Sequence, residues 1–287
     1  MTQKNLSTDN AAYCAELVRT HDFARYAATL FLPAASRRPV LALYAFNVEL
    51  SRIRDHITQP LPGEVRLQWW RDLIESEARG SAEANPVAAE LLIAIAQHDL
   101  PREQLSRFVD ARVFDLYDDP MPSLDVLERY CGDTASRLFA LTARILGEVS
   151  EEVEHVAHHA GIAQGLADVI AALPLHASRR QLYLPKDVLE QSGAEEADIL
   201  AGRPTPALQA AVDRLIGEAQ SQLDSASDLL CSIPEHAARA FIPLALVQRG
   251  LQRFGADPFA PSPQSHLRVL WTLWRASRAR CFRPAKT

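Results

Sequence analysis

The sequence lacks paired cysteines, long apolar runs and abundant glycine. Only 11 of its 287 residues are glycine, and β-branched residues seldom alternate with polar ones, which argues against a strand-rich fold. No stretch approaches the roughly 18 apolar residues of a membrane-spanning helix, and the opening MTQKNLSTDN lacks the apolar core of a signal peptide. Because no CxxC pair occurs, we expect neither a zinc site nor a disulfide framework, and a reducing compartment is favoured; the cysteines are Cys14, Cys131, Cys231 and Cys281. The expected location is the cytoplasm, with membrane contact at most peripheral.

Charge is distributed unevenly along the chain. The net charge of −6 and the pI of about 5.9 argue against a nucleic-acid partner. No acidic residue follows Asp257, whereas six basic residues do: Arg268, Arg275, Arg278, Arg280, Arg283 and Lys286.

A basic amphipathic helix is predicted over residues 264–281, with a broad apolar face formed by Leu267, Leu270, Trp271 and Trp274. This combination suits an anionic membrane surface or a groove in a partner protein. Packing of the same face against the body of the protein is an equally good interpretation.

Alanine, leucine, glutamate and arginine dominate the sequence, and prolines divide it, which predicts an all-α fold. Ser36 and Ser123 precede helical runs and are expected to be N-caps. Residues 192–206 predict a short helix with loops, and 258–265 a linker. With no repeat or low-complexity stretch, we expect a single domain over residues 1–287. The clearest predicted helices cover residues 10–31, 36–57, 63–79, 86–98, 101–116, 122–147, 149–173, 205–231, 234–253 and 264–281.

The segment over residues 30–55 contains ALYAF followed by a nearly acid-free helix end. Ser51 and Asp55 stand four residues apart and therefore share one face of a helix. A helix that binds Mg²⁺-diphosphate needs carboxylates at both places, because Mg²⁺ prefers oxygen ligands. Only Asp55 is acidic, and its neighbours Arg52 and Arg54 predict a local ion pair rather than a metal ligand.

A second segment covers residues 161–185. The spacing of Gly161 and Gly165 indicates close approach of another helix, and Pro174 is expected to kink or end this helix before a basic turn. That turn contains Arg179 and Arg180.

Acidic residues are scarce in this second segment. Ala172 and His176 form the four-apart pair at which a second acidic cluster would stand, and neither is acidic. Asp168 is the only carboxylate between Gly161 and Pro185, and a single buried carboxylate is usually a structural group with a partner.

The two segments, LFLP…RR…ALYAF and GIA…GLADVI…YLP, resemble the squalene/phytoene synthase superfamily. The similarity runs from about Ala12 to the last helix and implies an isoprenoid-synthase helical bundle around a central cavity. Active members carry paired aspartates that hold metal ions. Ser51, Ala172 and His176 stand at three of the four motif positions, and Asp55 alone remains.

AFNVEL, RLQWWRDLIE and ALPLHASRR resemble one branch of that superfamily, the mitochondrial complex I assembly factors and their bacterial relatives. The resemblance implies a non-catalytic protein without a cofactor, acting on complex I subunits or assembly intermediates at the membrane surface. In a eukaryotic source, that surface is the matrix side of the inner membrane. Two alternatives stay open: an isoprenoid- or lipid-binding protein, and a prenyltransferase whose Mg²⁺ ligands are Asp55, Asp168 and the acids of residues 115–119.

Further residues are candidates for ligand binding. Arginines can hold a phosphate without a metal, although solvated helix ends are their more frequent role; the candidates are Arg37, Arg38, Arg179 and Arg180. Tyr44 and Tyr183 lie within the two resemblance segments and are candidates for contact with a ligand. Aromatic residues at helical spacing line a prenyl tunnel or simply fill the core.

Overall fold

A computed structural model describes residues 3–76, 84–254, 257–260 and 265–279, with side chains from residue 9 onward. Every regular element within these residues is helical, which confirms the predicted all-α class. The α-helices are α1 (Gln3–His21), α2 (Phe23–Thr29), α3 (Ala34–Ser51), α4 (Pro60–Glu75), α5 (Pro86–His98), α6 (Arg102–Ala111), α7 (Leu124–Cys131), α8 (Arg137–Ile145), α9 (Glu151–Ala171), α10 (Leu173–Ser178), α11 (Lys186–Ser192), α12 (Glu196–Leu200), α13 (Pro206–Leu229), α14 (Glu235–Ala238), α15 (Leu244–Leu251) and α16 (His266–Ser277).

Several predicted helices are divided. The predicted helix over residues 10–31 was wrong as one element, because the Asp22 side chain accepts a hydrogen bond from the Arg25 amide at 3.0 Å and starts α2 anew. A π-helix, Gly132–Ser136, separates α7 from α8 within the predicted 122–147. The predicted 234–253 consists of α14, a 3₁₀ turn at Arg239–Phe241, and α15.

The helix ends test the predicted caps. Ser123 accepts from the Val126 amide at 3.4 Å and is the N-cap of α7, as predicted. The prediction for Ser36 was wrong: α3 begins at Ala34 after Pro33, so Ser36 lies buried inside the first turns. Pro33 has no amide proton to leave unsatisfied, and no side chain caps this end.

The apolar core is organised around three groups of helices. The largest surrounds α9 and α13, with residues such as Leu166 and Leu215 fully buried. A second surrounds α3, with Leu43 and Phe46 at its centre, and a third joins α2, α15 and α16. Each fully buried leucine or phenylalanine contributes about 1.5–3 kcal/mol of transfer free energy.

Glycines bring α9 against the end of α7 and the π-helix, as their spacing predicts. A Cβ built on Gly161 would lie 2.1 Å from the Ser136 amide nitrogen, and one on Gly165 would lie 2.4 Å from Cys131 Sγ. Only a residue without a side chain permits this approach. The close contact places Thr134 on the same cavity wall as residues of α9.

Candidate functional site

A cavity of about 310 Å³ opens between the α1–α2 junction, the end of α3, the π-helix, α9 and α10. This volume lies at the lower end of the roughly 300–1,000 Å³ found for ligand pockets. Eight of its 23 lining residues are arginines or aspartates, which is an unusually high share for such a pocket. Its arginines are Arg25, Arg52, Arg54, Arg112 and Arg179, and its carboxylates are Asp22, Asp115 and Asp168.

The degenerate motif positions converge on this cavity. Ser51, Asp168, Ala172 and His176 all line it, although 125 sequence positions separate the first from the last. Asp55 stands beside them, bonded to an arginine of the cavity wall. The fold therefore brings both motif segments to one place, as the resemblance implies.

Asp55 is held by two guanidinium groups. Its Oδ1 accepts from Arg179 at 2.7 Å, and its Oδ2 lies 3.6 Å from Arg52 Nε. The ion pair with Arg52 is the predicted local one, whereas Arg54 turns away and donates to Asp118 at 2.6 Å. The bond to Arg179 was not predicted, and it links the segment after α3 to the end of α10.

The motif positions do not fit a Mg²⁺ cluster. The Ser51 hydroxyl donates to the Val48 carbonyl at 3.1 Å, Ala172 offers no side-chain ligand, and Asp55 is engaged by arginines. Hard cations need several free oxygen ligands. Within the part of the chain that the structure describes, no three His, Cys, Asp or Glu side chains stand close enough to hold a metal ion.

His176 occupies the last acidic position of the motif as a neutral ring. It stacks on Tyr183 with 4.4 Å between ring centroids, and its Nδ1 is buried without a hydrogen-bond partner among the described residues. Burial lowers the pKa of the imidazole to about 4, despite the nearby charge of Asp115. A neutral imidazole contributes no counter-charge to a metal site.

Asp115 anchors a buried network that the sequence did not reveal. Its Oδ1 accepts from the hydroxyls of Tyr130 at 2.7 Å and Tyr183 at 2.6 Å, while Oδ2 lies 3.1 Å from Arg112 Nη1. Gln181 donates to its backbone carbonyl at 3.1 Å. The first of the acids of residues 115–119 is thus structural, and Tyr183 uses its hydroxyl within the protein.

Asp168 differs from the other cavity carboxylates. Among the described residues, the one side-chain partner of its carboxylate is the Gln164 amide, which donates at 2.8 Å, and no cationic nitrogen lies within 4.0 Å. Solvent reaches the carboxylate through the cavity, although protein surrounds it. Burial raises the pKa of this carboxyl from 3.8 to about 6, and the charge of Arg25 only partly opposes the shift.

Four predicted ligand-binding residues lie outside the cavity lining. Arg37 donates to the Leu30 and Leu32 carbonyls, and Arg38 pairs with the buried Glu90 at 2.7 Å. Of the other two, Arg180 is exposed with a positive φ of 59°, and Tyr44 is buried. A phosphate-binding role for these four stays a prediction.

Two arginines of the cavity were missed by sequence reasoning. Arg25 bonds Asp22 at 2.5 Å, and Arg112 pairs with Asp115 across the same three-residue spacing. The signal available for both was an acid and an arginine three positions apart on a helical turn.

The last helix packs mainly by a different face from the one predicted, although Leu270 of the predicted face is half-buried against the same core. Val269, Leu273 and Ala276 are buried against α2 and α15. Three large apolar side chains are exposed among its polar ones: Leu267 at 81%, Trp271 at 51% and Trp274 at 44%. Arg280, Arg283 and Lys286 of the predicted basic end lie outside the described residues.

An arginine guanidinium lies over the ring of each exposed tryptophan of α16. The Arg275 guanidinium lies 4.9 Å from the ring centroid of Trp271, and that of Arg278 lies 4.3 Å from Trp274. Such pairs combine positive charge with apolar surface. Among the described residues no helix has the length and apolar character needed to cross a bilayer.

The sequence model described as squalene/phytoene synthase matches residues 18–275. The chain belongs to the squalene/phytoene synthase family. It is 34% identical over 259 residues to "NADH dehydrogenase (ubiquinone) complex I, assembly factor 6" of Rattus norvegicus, covering 89% of this chain and 78% of the relative. It is 26% identical over 179 residues to presqualene diphosphate synthase of Sinorhizobium fredii, covering 61% of this chain and 63% of that relative.

Solved structures agree with the family assignment at the level of the fold. A squalene synthase from Alicyclobacillus acidocaldarius matches with a TM-score of 0.76 at 22% identity, covering 91% of this chain and 98% of that chain. The isoprenoid-synthase helical fold that the resemblance implied is thereby confirmed.

Proposed function

We propose that this member of the squalene/phytoene synthase family is a non-catalytic protein that assists the assembly of respiratory complex I. The observation that carries the proposal is the 34% identity, over 89% of the chain, to a relative named as a complex I assembly factor. Its partners are complex I subunits or assembly intermediates, and no cofactor takes part.

The cavity supports the non-catalytic half of this proposal. Ionising an allylic diphosphate requires metal ions that stabilise the leaving diphosphate. Here the remaining acid of the first motif, Asp55, is bonded to Arg179, and the second motif has Ala172 and His176. The ion pair between Arg179 and Asp55 joins the two motif segments, and it leaves Asp55 unavailable as a free metal ligand.

A complementation experiment tests the assembly role. The chain, fused to a mitochondrial presequence, is expressed in rat cells that lack the related assembly factor. Assembled complex I on native gels and NADH–ubiquinone activity should both recover, with succinate dehydrogenase as the unchanged control. Proteins that are 34% identical can differ in the partners that they recognise, so the gene is also deleted in its own source cell. There the amount of assembled complex I should fall. An unchanged amount of complex I in that cell refutes the assembly role.

The exposed face of α16 favours binding of the protein to a membrane surface. Leu267, Trp271 and Trp274 project from the body, and arginines stand beside both tryptophans. Tryptophan and arginine together bind the interface of anionic bilayers. The full chain should co-sediment with vesicles of 30% cardiolipin in phosphatidylcholine and much less with phosphatidylcholine alone.

The matched variants for that assay come from the same helix. Trp271→Ala with Trp274→Ala removes exposed apolar area without touching the buried Leu273, so folding should be kept while sedimentation falls severalfold. A double variant that sediments like the native chain argues against this surface.

A divergent prenyltransferase is the second candidate, favoured by the 26% identity to presqualene diphosphate synthase. Incubation with farnesyl diphosphate and Mg²⁺ tests it through release of pyrophosphate. We expect none above the level of an Asp55→Ala variant. Release that Asp55→Ala abolishes would establish the enzyme and overturn the non-catalytic proposal.

A further inference from the structure

A second cleft, of about 460 Å³, lies between α2, α9, α15 and α16. It adjoins the arginine-lined cavity, because Asp22, Arg25 and Asp168 line both. Phe23 of α2 stacks on His266 of α16 with 3.7 Å between ring centroids, and both residues line the cleft. The volume is that of a pocket for a small organic ligand.

The lining of this cleft is mostly apolar. Side chains from α9, α15 and the segment after α15 face it together with the α16 core residue: Ala167, Ala171, Leu246, Val247, Phe254 and Val269. Gly250 of α15 also faces it, and a Cβ built there meets nothing within 4 Å. Such a surface suits the hydrocarbon part of a ligand.

The polar end of the cleft carries uncompensated negative charge. Asp22 is neutralised by Arg25 at 2.5 Å, whereas within the described part of the chain the Asp168 carboxylate accepts a hydrogen bond only from the Gln164 amide, at 2.8 Å. Of the described residues that line the cleft, Asp22, Arg25 and Asp168 are the only Asp, Glu, Lys or Arg residues, and His266 adds a titratable ring. Two carboxylates and one guanidinium leave this end with an excess of one negative charge when Asp168 is ionised.

We propose that this cleft binds a hydrophobic amine, whose chain lies between α9 and α15 and whose ammonium group donates hydrogen bonds to Asp168. Charge-assisted hydrogen bonds between ammonium and carboxylate are among the strongest in proteins, particularly in surroundings of low polarity. An anionic prenyl phosphate is disfavoured at the same place, because its charge repels Asp168. The ligand class is therefore opposite in charge to the diphosphates that a metal cluster attracts.

Three ligands that share the farnesyl chain and differ in their head group test which head group the cleft prefers. Farnesylamine, farnesol and farnesyl monophosphate are titrated into the full chain by calorimetry at pH 7.5, below their micellar concentrations. Farnesylamine should bind at least about tenfold more tightly than the monophosphate, as expected for a charge-assisted bond. Equal or tighter binding of the monophosphate, or no binding of the amine, overturns the proposal.

Two variants locate the site. Asp168→Asn should weaken farnesylamine at least about tenfold and leave farnesol nearly unchanged. The control is Asp224→Asn, because Asp224 on α13 likewise accepts from a glutamine four residues earlier, Gln220, at 2.9 Å, but lies outside the cleft. Equal effects of the two substitutions would place the amine elsewhere.

A third variant fills the apolar part. Gly250→Leu should weaken both farnesylamine and farnesol, since its side chain enters space that is open beside the cleft. As a control, the circular dichroism spectrum of this variant should match that of the native chain. Undiminished binding of both probes would show that their chains do not occupy the cleft.

The pH dependence gives an independent readout. Farnesylamine should bind more weakly as the pH falls through about 6, where Asp168 takes up a proton while the ammonium stays charged. Asp22, Arg25 and His266 face the same end, and any change that they cause persists in Asp168→Asn. A pH profile identical in the native chain and in Asp168→Asn contradicts the assigned contact.

Discussion

Replacing Gly161 by alanine should destabilise the protein, although alanine is the better helix former. The added methyl group would lie 2.1 Å from the backbone nitrogen and 2.2 Å from the Cα of Ser136. Favourable carbon contacts are about 3.5–4.0 Å, so α9 and the π-helix would have to separate by more than about 1 Å. No rotamer change can relieve a clash with backbone atoms.

The size of the effect follows from two opposing terms. Glycine in a helix interior costs about 1 kcal/mol relative to alanine, so the substitution gains that much from propensity. Overpacking by a methylene costs about 1–3 kcal/mol, and more where only backbone can move. We expect a net loss of about 2 kcal/mol, a large fraction of the roughly 5–15 kcal/mol that stabilises a typical domain.

Urea unfolding followed by circular dichroism measures this loss against two matched glycines. Gly217 of α13 is exposed and a Cβ there meets nothing within 4 Å, so Gly217→Ala should gain about 0.5–1 kcal/mol. Gly165→Ala meets the Cys131 side chain, and adding Cys131→Ala should recover part of its loss. A Gly161→Ala protein as stable as Gly217→Ala would refute the close approach of α9 to the π-helix.

Two further predictions concern the polar groups of the cavity. Tyr183→Phe removes one hydrogen-bond donor from buried Asp115 and should lower the free energy of unfolding in urea by about 1.5–3 kcal/mol. The control, Tyr13→Phe at an exposed site, should cause no measurable loss. Equal stabilities of the two variants would show that the Tyr183 hydroxyl is dispensable. For Asp168, burial raises the folded-state pKa from 3.8 to about 6, so the native chain should lose stability relative to Asp168→Asn as the pH rises between those values. A stability difference that stays flat from pH 4 to pH 7 would contradict the raised pKa of this carboxyl.

The sequence predicted those features that depend on local pattern. The all-α class follows from composition, and the spacing of Gly161 and Gly165 correctly indicated a close helix contact. Pro174 ends α9 and starts α10 in its first turn, and Ser123 caps α7. Each of these depends on one residue and its near neighbours, which is the information that a single sequence contains.

The break between α1 and α2 was missed because apolar spacing continues through it. Asp22 looked like one polar residue of a long helix, although an aspartate that accepts from the amide three residues later is a frequent N-cap. That break turns Arg25 and Asp22 to the cavity and to the cleft. A local capping signal was therefore present but was outweighed by periodicity.

Contacts between distant segments could not be derived from local pattern. Tyr183 donates to Asp115 across 68 positions, and Arg179 reaches Asp55. The face of α16 was misassigned for a related reason. Its helix has apolar residues nearly all round, so only the position of α2 and α15 decides that Leu273 is buried while Trp271 is exposed.

The pairing of charges explains how the cavity stays polar without a metal. All five of its arginines pair with a carboxylate: Arg25 with Asp22, Arg54 with Asp118, Arg112 with Asp115, and both Arg52 and Arg179 with Asp55. Removing one partner from a buried pair is costly, because the other charge is left unsolvated. The arginines of the cavity can therefore remain without acids at the other motif positions, because Asp55 and other carboxylates of the fold pair with them.

Asp168 is the exception to this internal neutralisation. It faces both cavities, and its hydrogen-bond partner among the described residues is a neutral amide, so Arg25 and Arg112 oppose its charge only from a distance. A carboxylate in that position disfavours its own ionisation, and a ligand that brings a positive charge would remove the penalty. The other charges of the cavity are thus paired within the fold, whereas Asp168 makes the adjoining cleft complementary to a cation.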